Sequence, residues 1–293
     1  MNQNISKQID ILKVITIILV VFAHVTRMYT GDGVIKMEVN PVLALITKYI
    51  YSFHMPLFVM LSGTVYYICK CENDKYKIES KFILNKAKRL LIPYLFFAFF
   101  IVLPTLIFID AIHKPYISYV VNGLLLAEDP KHLWYLVMLF GVFVLFNHFE
   151  NRIKEHKLIA AAIMLIFYGC SFMAPSILQI NTILRYSIYF YIGYNYPYVV
   201  ATVNKINRTE IWVVMHMFLF ILMSINNYNF LNPIFLLVTS ILGICIMVSL
   251  AMAICNVNDN YTQSKFYNVM KRDSFGVYLF HPMIIYMLFF CKR

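Results

Sequence analysis

Nine stretches of this chain are apolar for about as long as an α-helix must be to cross a bilayer core about 30 Å thick, which takes about 20 residues. They cover residues 11–29, 42–68, 89–109, 133–149, 158–172, 183–200, 211–225, 233–255 and 275–290. In lipid a backbone amide finds no water, so such segments satisfy their polar groups within helices. The composition agrees. Hydrophobic residues make up 61% and charged residues 13%, against roughly 45–50% and about 25% in a soluble domain. These figures exclude a disordered chain, a disulfide-stapled secreted module and a soluble Rossmann or barrel enzyme. The fold class expected is all-α, a polytopic transmembrane helix bundle of nine or ten spans. Residues 116–127 are too few to cross and read as re-entrant or interfacial.

The formal net charge is +11. In a soluble protein that would suggest nucleic acid, whereas in a membrane protein it suits loops facing anionic lipid. Membrane lipids are therefore expected partners and nucleic acid is not. Lys70, Lys75, Lys77, Lys81, Lys86, Lys88 and Arg89 lie between the second and third spans. Further basic loops carry Arg152, Lys154 and Lys157, then Lys205 and Arg208, then Lys265, Lys271 and Arg272. Residues 174–182 and 227–232 hold no Lys or Arg. The positive-inside rule then places the N-terminus in the cytoplasm of a plasma-membrane protein. Nine spans leave Lys292 and Arg293 outside, where they fit poorly, so a tenth span or an early stop is expected.

Six cysteines (Cys69, Cys71, Cys170, Cys245, Cys255 and Cys291) form no C-x-x-C pair and no His/Cys cluster at zinc spacing. The pattern supports neither a disulfide framework nor a metal site. The apolar run after Lys13 is too long for the core of a cleaved signal and lacks its small-residue cleavage pattern, so it reads as a retained first span. No Gly/Ser linker or low-complexity tract marks a boundary, and residues 1–293 read as one membrane domain.

Ionisable groups within spans are costly and usually face a bundle interior or a wet cavity. The first span, DILKVITIILVVFAHVTRMY, carries Asp10, Lys13, His24 and Arg27. Lys13 and His24 are separated by 11 residues, about 20° from three full turns and about 16 Å of rise, so they share one helix face. Such a pair could hold two ends of an extended ligand. A snorkelling Lys and an interfacial His fit the same spacing. Arg27 lies on a neighbouring position of that face, where its charge would keep the imidazole neutral, or it is an interfacial anchor. Asp10 is too far from His24 to orient it and suits an i,i+3 pair with Lys13.

The second span, YSFHMPLFVMLSGTVYY, places Pro56 two residues after His54, predicting a kink and a local polar opening there. Ser62 and Gly63 are a small pair suited to close helix packing; Ser62 as a nucleophile would need an adjacent base. Lys86, Lys88 and Arg89 cluster ahead of Pro93 and suit phosphate groups or anionic lipid. Later islands are HLWYL, with His132 and Trp134, and SFGVYLFHPMI, with Tyr278, His281 and Pro282. The tyrosines of residues 186–198 suit a sugar-stacking wall or an aromatic belt.

In this order the islands D-x-L-K-x(10)-H, S-F-H-M-P-L-F-x(3)-S-G, K-R-L-L-I-P-Y, H-L-W-Y-L and Y-L-F-H-P resemble the acyltransferase family 3 membrane proteins, and within them the fucose 4-O-acetylase type. The resemblance covers nearly the whole chain. It implies about ten transmembrane helices and transfer of an acyl group, usually acetyl from cytosolic acetyl-CoA, onto a hydroxyl of a cell-surface carbohydrate or glycolipid. Lys13 then takes the place of the basic residue, commonly Arg, of the first-helix motif, and His24 that of its essential His. By that resemblance they would form the catalytic pair. Lys13, Arg89 and Lys88 would bind the donor, and His54, Ser62, Trp134 and His281 the acceptor, with no tightly bound cofactor. Val14 and Ala23 stand where glycine is frequent in relatives, and the final helix is expected to be short.

The rival reading is a transporter or flippase of lipid-linked saccharides, with Lys13, His24 and Arg185 as proton relay or headgroup contacts. A polysaccharide polymerase or ligase would need larger outer loops than these.

Overall fold

A computed structural model describes residues 3–35, 37–72, 79–206, 208–225, 232–257 and 259–291. Lys75, Lys77, Lys292, Arg293 and most of the loop 227–232 lie outside the described residues. The helices are α1 (Gln3–Arg27), α2 (Pro41–Tyr51), α3 (His54–Tyr67), α4 (Glu79–Phe97), α5 (Leu103–Phe108), α6 (Tyr116–Ser118), α7 (Trp134–His148), α8 (Glu150–Glu155), α9 (Lys157–Cys170), α10 (Ile180–Tyr194), α11 (Tyr196–Ile206), α12 (Thr209–Ile225), α13 (Asn232–Asn256) and α14 (Lys265–Phe290). No strand occurs among the described residues. The all-α transmembrane class is thus what the chain adopts.

Among the described residues, six helical segments are long and apolar enough to cross a membrane: Asn4–Arg27, Pro41–Lys70, Glu79–Phe108, Lys131–His148, Asn232–Asn256 and Lys265–Phe290. Helices α11 and α12 form a pair bent by 101°, which would make a seventh if it is one broken span. The nine apolar stretches all became helices, but not all became full-length spans. With 14 residues, α9 rises only about 21 Å. The stretch 183–200 is divided after Tyr194, where Pro197 enters α11 at a position that tolerates its missing N–H. Residues 116–127 form a short helix, Tyr116–Leu125. The final helix is not short: α14 starts at Lys265 and runs 26 residues, because polar residues ahead of Phe275 hide its first turns from a hydropathy reading.

The chain divides into two compact units, Met1–Val65 with Ile192–Ile285, and Tyr66–Tyr191 with Tyr286–Arg293. In the first, α1 packs on α2 and α13, while α11 and α12 pack on α13. Leu12, Thr16, Val20 and Ala23 form a fully buried stripe on α1, at the i, i+4, i+8, i+11 spacing of one helix face. Ile18 and Phe22 face the other way, 42% and 45% exposed. Close backbone approach is built in at two glycines. A side chain at Gly193 would collide with the Met60 carbonyl, and one at Gly243 with the Phe53 side chain.

The second unit packs α4 against α7, and α8 against α9. Tyr66, Phe82, Phe143, Phe146 and Phe190 make a ring cluster with centroids 4.5–6.0 Å apart. The Lys70 ammonium lies over the Tyr66 and Phe82 rings and pairs with Glu150 and Asn147. Glu150 also takes Lys154 at 2.8 Å. This buried charge is thereby neutralised on several sides, as a charge removed from water requires.

Gly193→Ala should lower stability by about 1–3 kcal/mol, because a backbone carbonyl cannot step aside as a flexible side chain can. Thermal unfolding in detergent checks this against Gly169→Ala, where a methyl meets nothing within 4 Å and no comparable loss is expected.

Candidate active site

Along α1, Lys13 and His24 fall at about the same angle, between fully buried Val20 and Ile17 and away from Ile18 and Phe22. The two side chains therefore belong to the packed face of the helix. The Lys13 ammonium lies 3.4 Å from Asp10 Oδ1, the expected i,i+3 pair. Asp10 Oδ2 also meets Lys271 of α14 at 3.6 Å. Farther along the same two helices, the His24 and His281 rings meet edge to face with centroids 4.7 Å apart. Contacts at both places, in the same order along each chain, make α1 and α14 parallel neighbours.

His54 is reached through Tyr51. That ring lies 6.3 Å from the His24 ring and 4.7 Å from the His54 ring. The Arg27 guanidinium stacks over Tyr51 at 5.6 Å and approaches its hydroxyl at 3.5 Å. His24, Tyr51, His54 and His281 thus form one aromatic cluster, with Arg27 at its edge. His54 is fully buried and His281 is 4% exposed. Lys13 is not in contact with this cluster, since it is about three turns away along α1.

Each imidazole is held in the same way. Nδ1 lies 2.9 Å from the Val20 carbonyl in His24, 2.9 Å from the Ile50 carbonyl in His54 and 3.0 Å from the Val277 carbonyl in His281. A carbonyl only accepts, so each Nδ1 carries a hydrogen and donates it. In a neutral ring the lone pair is then on Nε2. Among the described residues, neither His24 Nε2 nor His54 Nε2 has a hydrogen-bond partner, and the latter is buried.

The break between α2 and α3 sets His54 in place. Pro56 has no N–H to give the carbonyl one turn back, which belongs to Ser52. The Ser240 hydroxyl of α13 lies 2.6 Å from that carbonyl and 2.6 Å from the Leu236 carbonyl of its own helix, its one hydrogen shared between the two acceptors. The Ser52 hydroxyl donates to the Tyr49 carbonyl at 2.7 Å and lies 3.4 Å from Nε2 of the buried His216 on α12. The kink expected at Pro56 is therefore a discrete break at Ser52 and Phe53, held by α12 and α13. His216 and Ser240 escaped the sequence reading; the usable signal was a lone His within an apolar span.

Other expected site residues are placed differently. Ser62 donates its hydroxyl to the Phe58 carbonyl at 3.2 Å, the back-bond of a packing serine. Lys88, Arg89 and Trp134 belong to the second unit. Lys88 and Arg89 project exposed from α4, whereas Lys86 turns inward over the Phe143 ring at 4.0 Å. Trp134 opens α7 and stacks on Tyr186 at 5.2 Å. Arg185 lies over Phe172 at 4.5 Å and donates to Ser171 at 3.4 Å.

Residues 6–291 match the family model described as an acyltransferase domain. The chain belongs to acyltransferase family 3. The match runs through both compact units. No curated protein and no solved structure matches the chain. The family and the apolar helices make this a multi-pass membrane acyltransferase.

Ser240→Ala should leave the Ser52 carbonyl without its donor and cost about 1–3 kcal/mol. Because the break precedes His54 by one residue, acyl transfer should fall in the same variant. Ser224→Ala, which removes only a back-bond to Phe220, should change neither unfolding temperature nor rate.

Proposed function

We propose that this protein is an O-acetyltransferase that moves acetyl from cytosolic acetyl-CoA to a hydroxyl of a cell-surface carbohydrate or glycolipid. The observation that carries the reading is the histidine cluster on α1, α3 and α14, above all a His24 whose Nε2 is left open by the tautomer its backbone bond selects. Placement in the plasma membrane with a cytoplasmic N-terminus is part of the proposal, supported by the alternation of basic and uncharged loops.

In this reading His24 Nε2 accepts the proton of the acceptor hydroxyl as its oxygen attacks the thioester carbonyl carbon. A new carbon–oxygen bond forms and the carbon–sulfur bond breaks. The imidazolium returns the proton to the departing thiolate, releasing the ester and free coenzyme A. His54 and His281 pack around this base with Tyr51 and shape the acceptor's surroundings. Lys13, held by Asp10, lies about 16 Å away on the same face, a span that suits an elongated donor whose polar part and reacting carbonyl are far apart. The donor role that the resemblance implies for Lys88 and Arg89 is tested on its own. A Ser62 acyl-enzyme is not favoured, since its hydroxyl back-bonds to Phe58.

His24→Ala should lower kcat by about 10²–10⁴-fold with little change in the KM for acetyl-CoA. The assay is radiolabelled acetyl transfer by the purified protein, with unfolding temperature as a check on folding. Wild-type rates in that variant would remove His24 from the chemistry. Arg89→Ala should instead raise the KM for acetyl-CoA and spare kcat, and an unchanged KM would take Arg89 out of donor binding.

A further inference from the structure

A cavity of about 370 Å³ opens between the end of α7, α8 and α9, within the second unit. Its volume falls in the range of pockets that hold small molecules. Leu145, Ile153, Ala160 and Met164 line it, and the exposed Arg152 and His156 lie at its edge, the wall itself being almost wholly apolar. Ala160 and Met164 are one turn apart on α9 and nearly buried at 5% and 4%. The small Ala160 side chain leaves the room.

At its edge Arg152 offers one cation. Glu150, two residues before Arg152, is already committed to Lys70 and Lys154. Among the described residues no carboxylate pairs with the exposed Arg152 guanidinium, Glu155 included. The start of α9 adds to this, because His156 gives it no side-chain cap and its first N–H groups point out of the helix. An apolar slot with a free guanidinium matches an acyl chain joined to a phosphate. A soluble anion would leave the apolar walls unused, and a neutral lipid would leave Arg152 unused.

We infer that this groove is a binding site for one anionic glycerophospholipid, with an acyl chain along Ala160 and Met164 and its phosphate on Arg152. This inference does not depend on the donor or acceptor proposed above.

Native mass spectrometry of the purified protein in detergent, titrated with phosphatidylglycerol or phosphatidylcholine, tests the site. One phosphatidylglycerol should bind per chain about ten-fold more tightly than phosphatidylcholine, a difference of about 1.4 kcal/mol. Arg152→Gln, an exposed change that should leave the unfolding temperature intact, should abolish the preference, and Ala160→Trp should displace both lipids. Equal affinity for the two lipids, or a preference that survives Arg152→Gln, would overturn the site. Binding of inorganic phosphate at Arg152 without lipid would reassign it to a soluble anion and overturn it as well.

Discussion

A hydrogen bond from Nδ1 of a histidine to the carbonyl four residues back, made by His24, His54 and His281, underlies the site. Inside an apolar bundle an imidazole cannot leave both nitrogens unsatisfied without cost. Using the helix's own carbonyl satisfies one nitrogen without help from another element. It also fixes the tautomer and the ring direction, because the bond pulls each ring back along its helix. Three rings from three helices can then be brought together, and in His24 and His54 the second nitrogen has no hydrogen-bond partner among the described residues. The family supplies the activity class, and this repeated local bond supplies the means by which a helix bundle can carry a base.

The second constraint is the break at Ser52 and Phe53. Proline two residues after His54 removes the bond that would continue α2 into α3, and the carbonyl it orphans is recovered by Ser240 from α13. Ser52 in turn touches His216 of α12. The position of His54 is thus tied to helices distant in sequence, so changes on α12 and α13 should reach the site without touching it. Gly243, pressed against Phe53, belongs to the same arrangement. These contacts explain why small and polar residues recur on otherwise apolar helices, where interhelical hydrogen bonds and close approach replace the hydrophobic effect as the source of specificity.

Much of this was legible in the sequence, and for physical reasons. The membrane class follows from apolar length, and the shared face of Lys13 and His24 follows from helix geometry within one element. The Asp10–Lys13 pair is local in the same sense. What could not be read is tertiary. Nothing in the spacing says that His281 lies against His24 or that Tyr51 bridges His24 to His54, since these depend on which helices are neighbours. His216 was overlooked because a single polar residue in an apolar span carries no pattern. Span lengths failed where hydropathy alone is ambiguous: α9 is too short to cross, Pro197 opens a new helix, and α14 starts ten residues before its apolar part. The order of five weak motifs located the family, while the grouping of His24, Tyr51, His54 and His281 came from geometry within the first unit.

The most direct test of the central claim is the tautomer of His24. In protein labelled with nitrogen-15 histidine, the signals lost in His24→Ala identify the ring. The account predicts that near neutral pH its Nδ1 shows the shift of a protonated nitrogen and its Nε2 that of a nitrogen bearing a lone pair. A ring protonated at Nε2 alone would contradict it, because the nitrogen held at the Val20 carbonyl would then have no hydrogen to donate and the nitrogen assigned as the base would have no lone pair to offer.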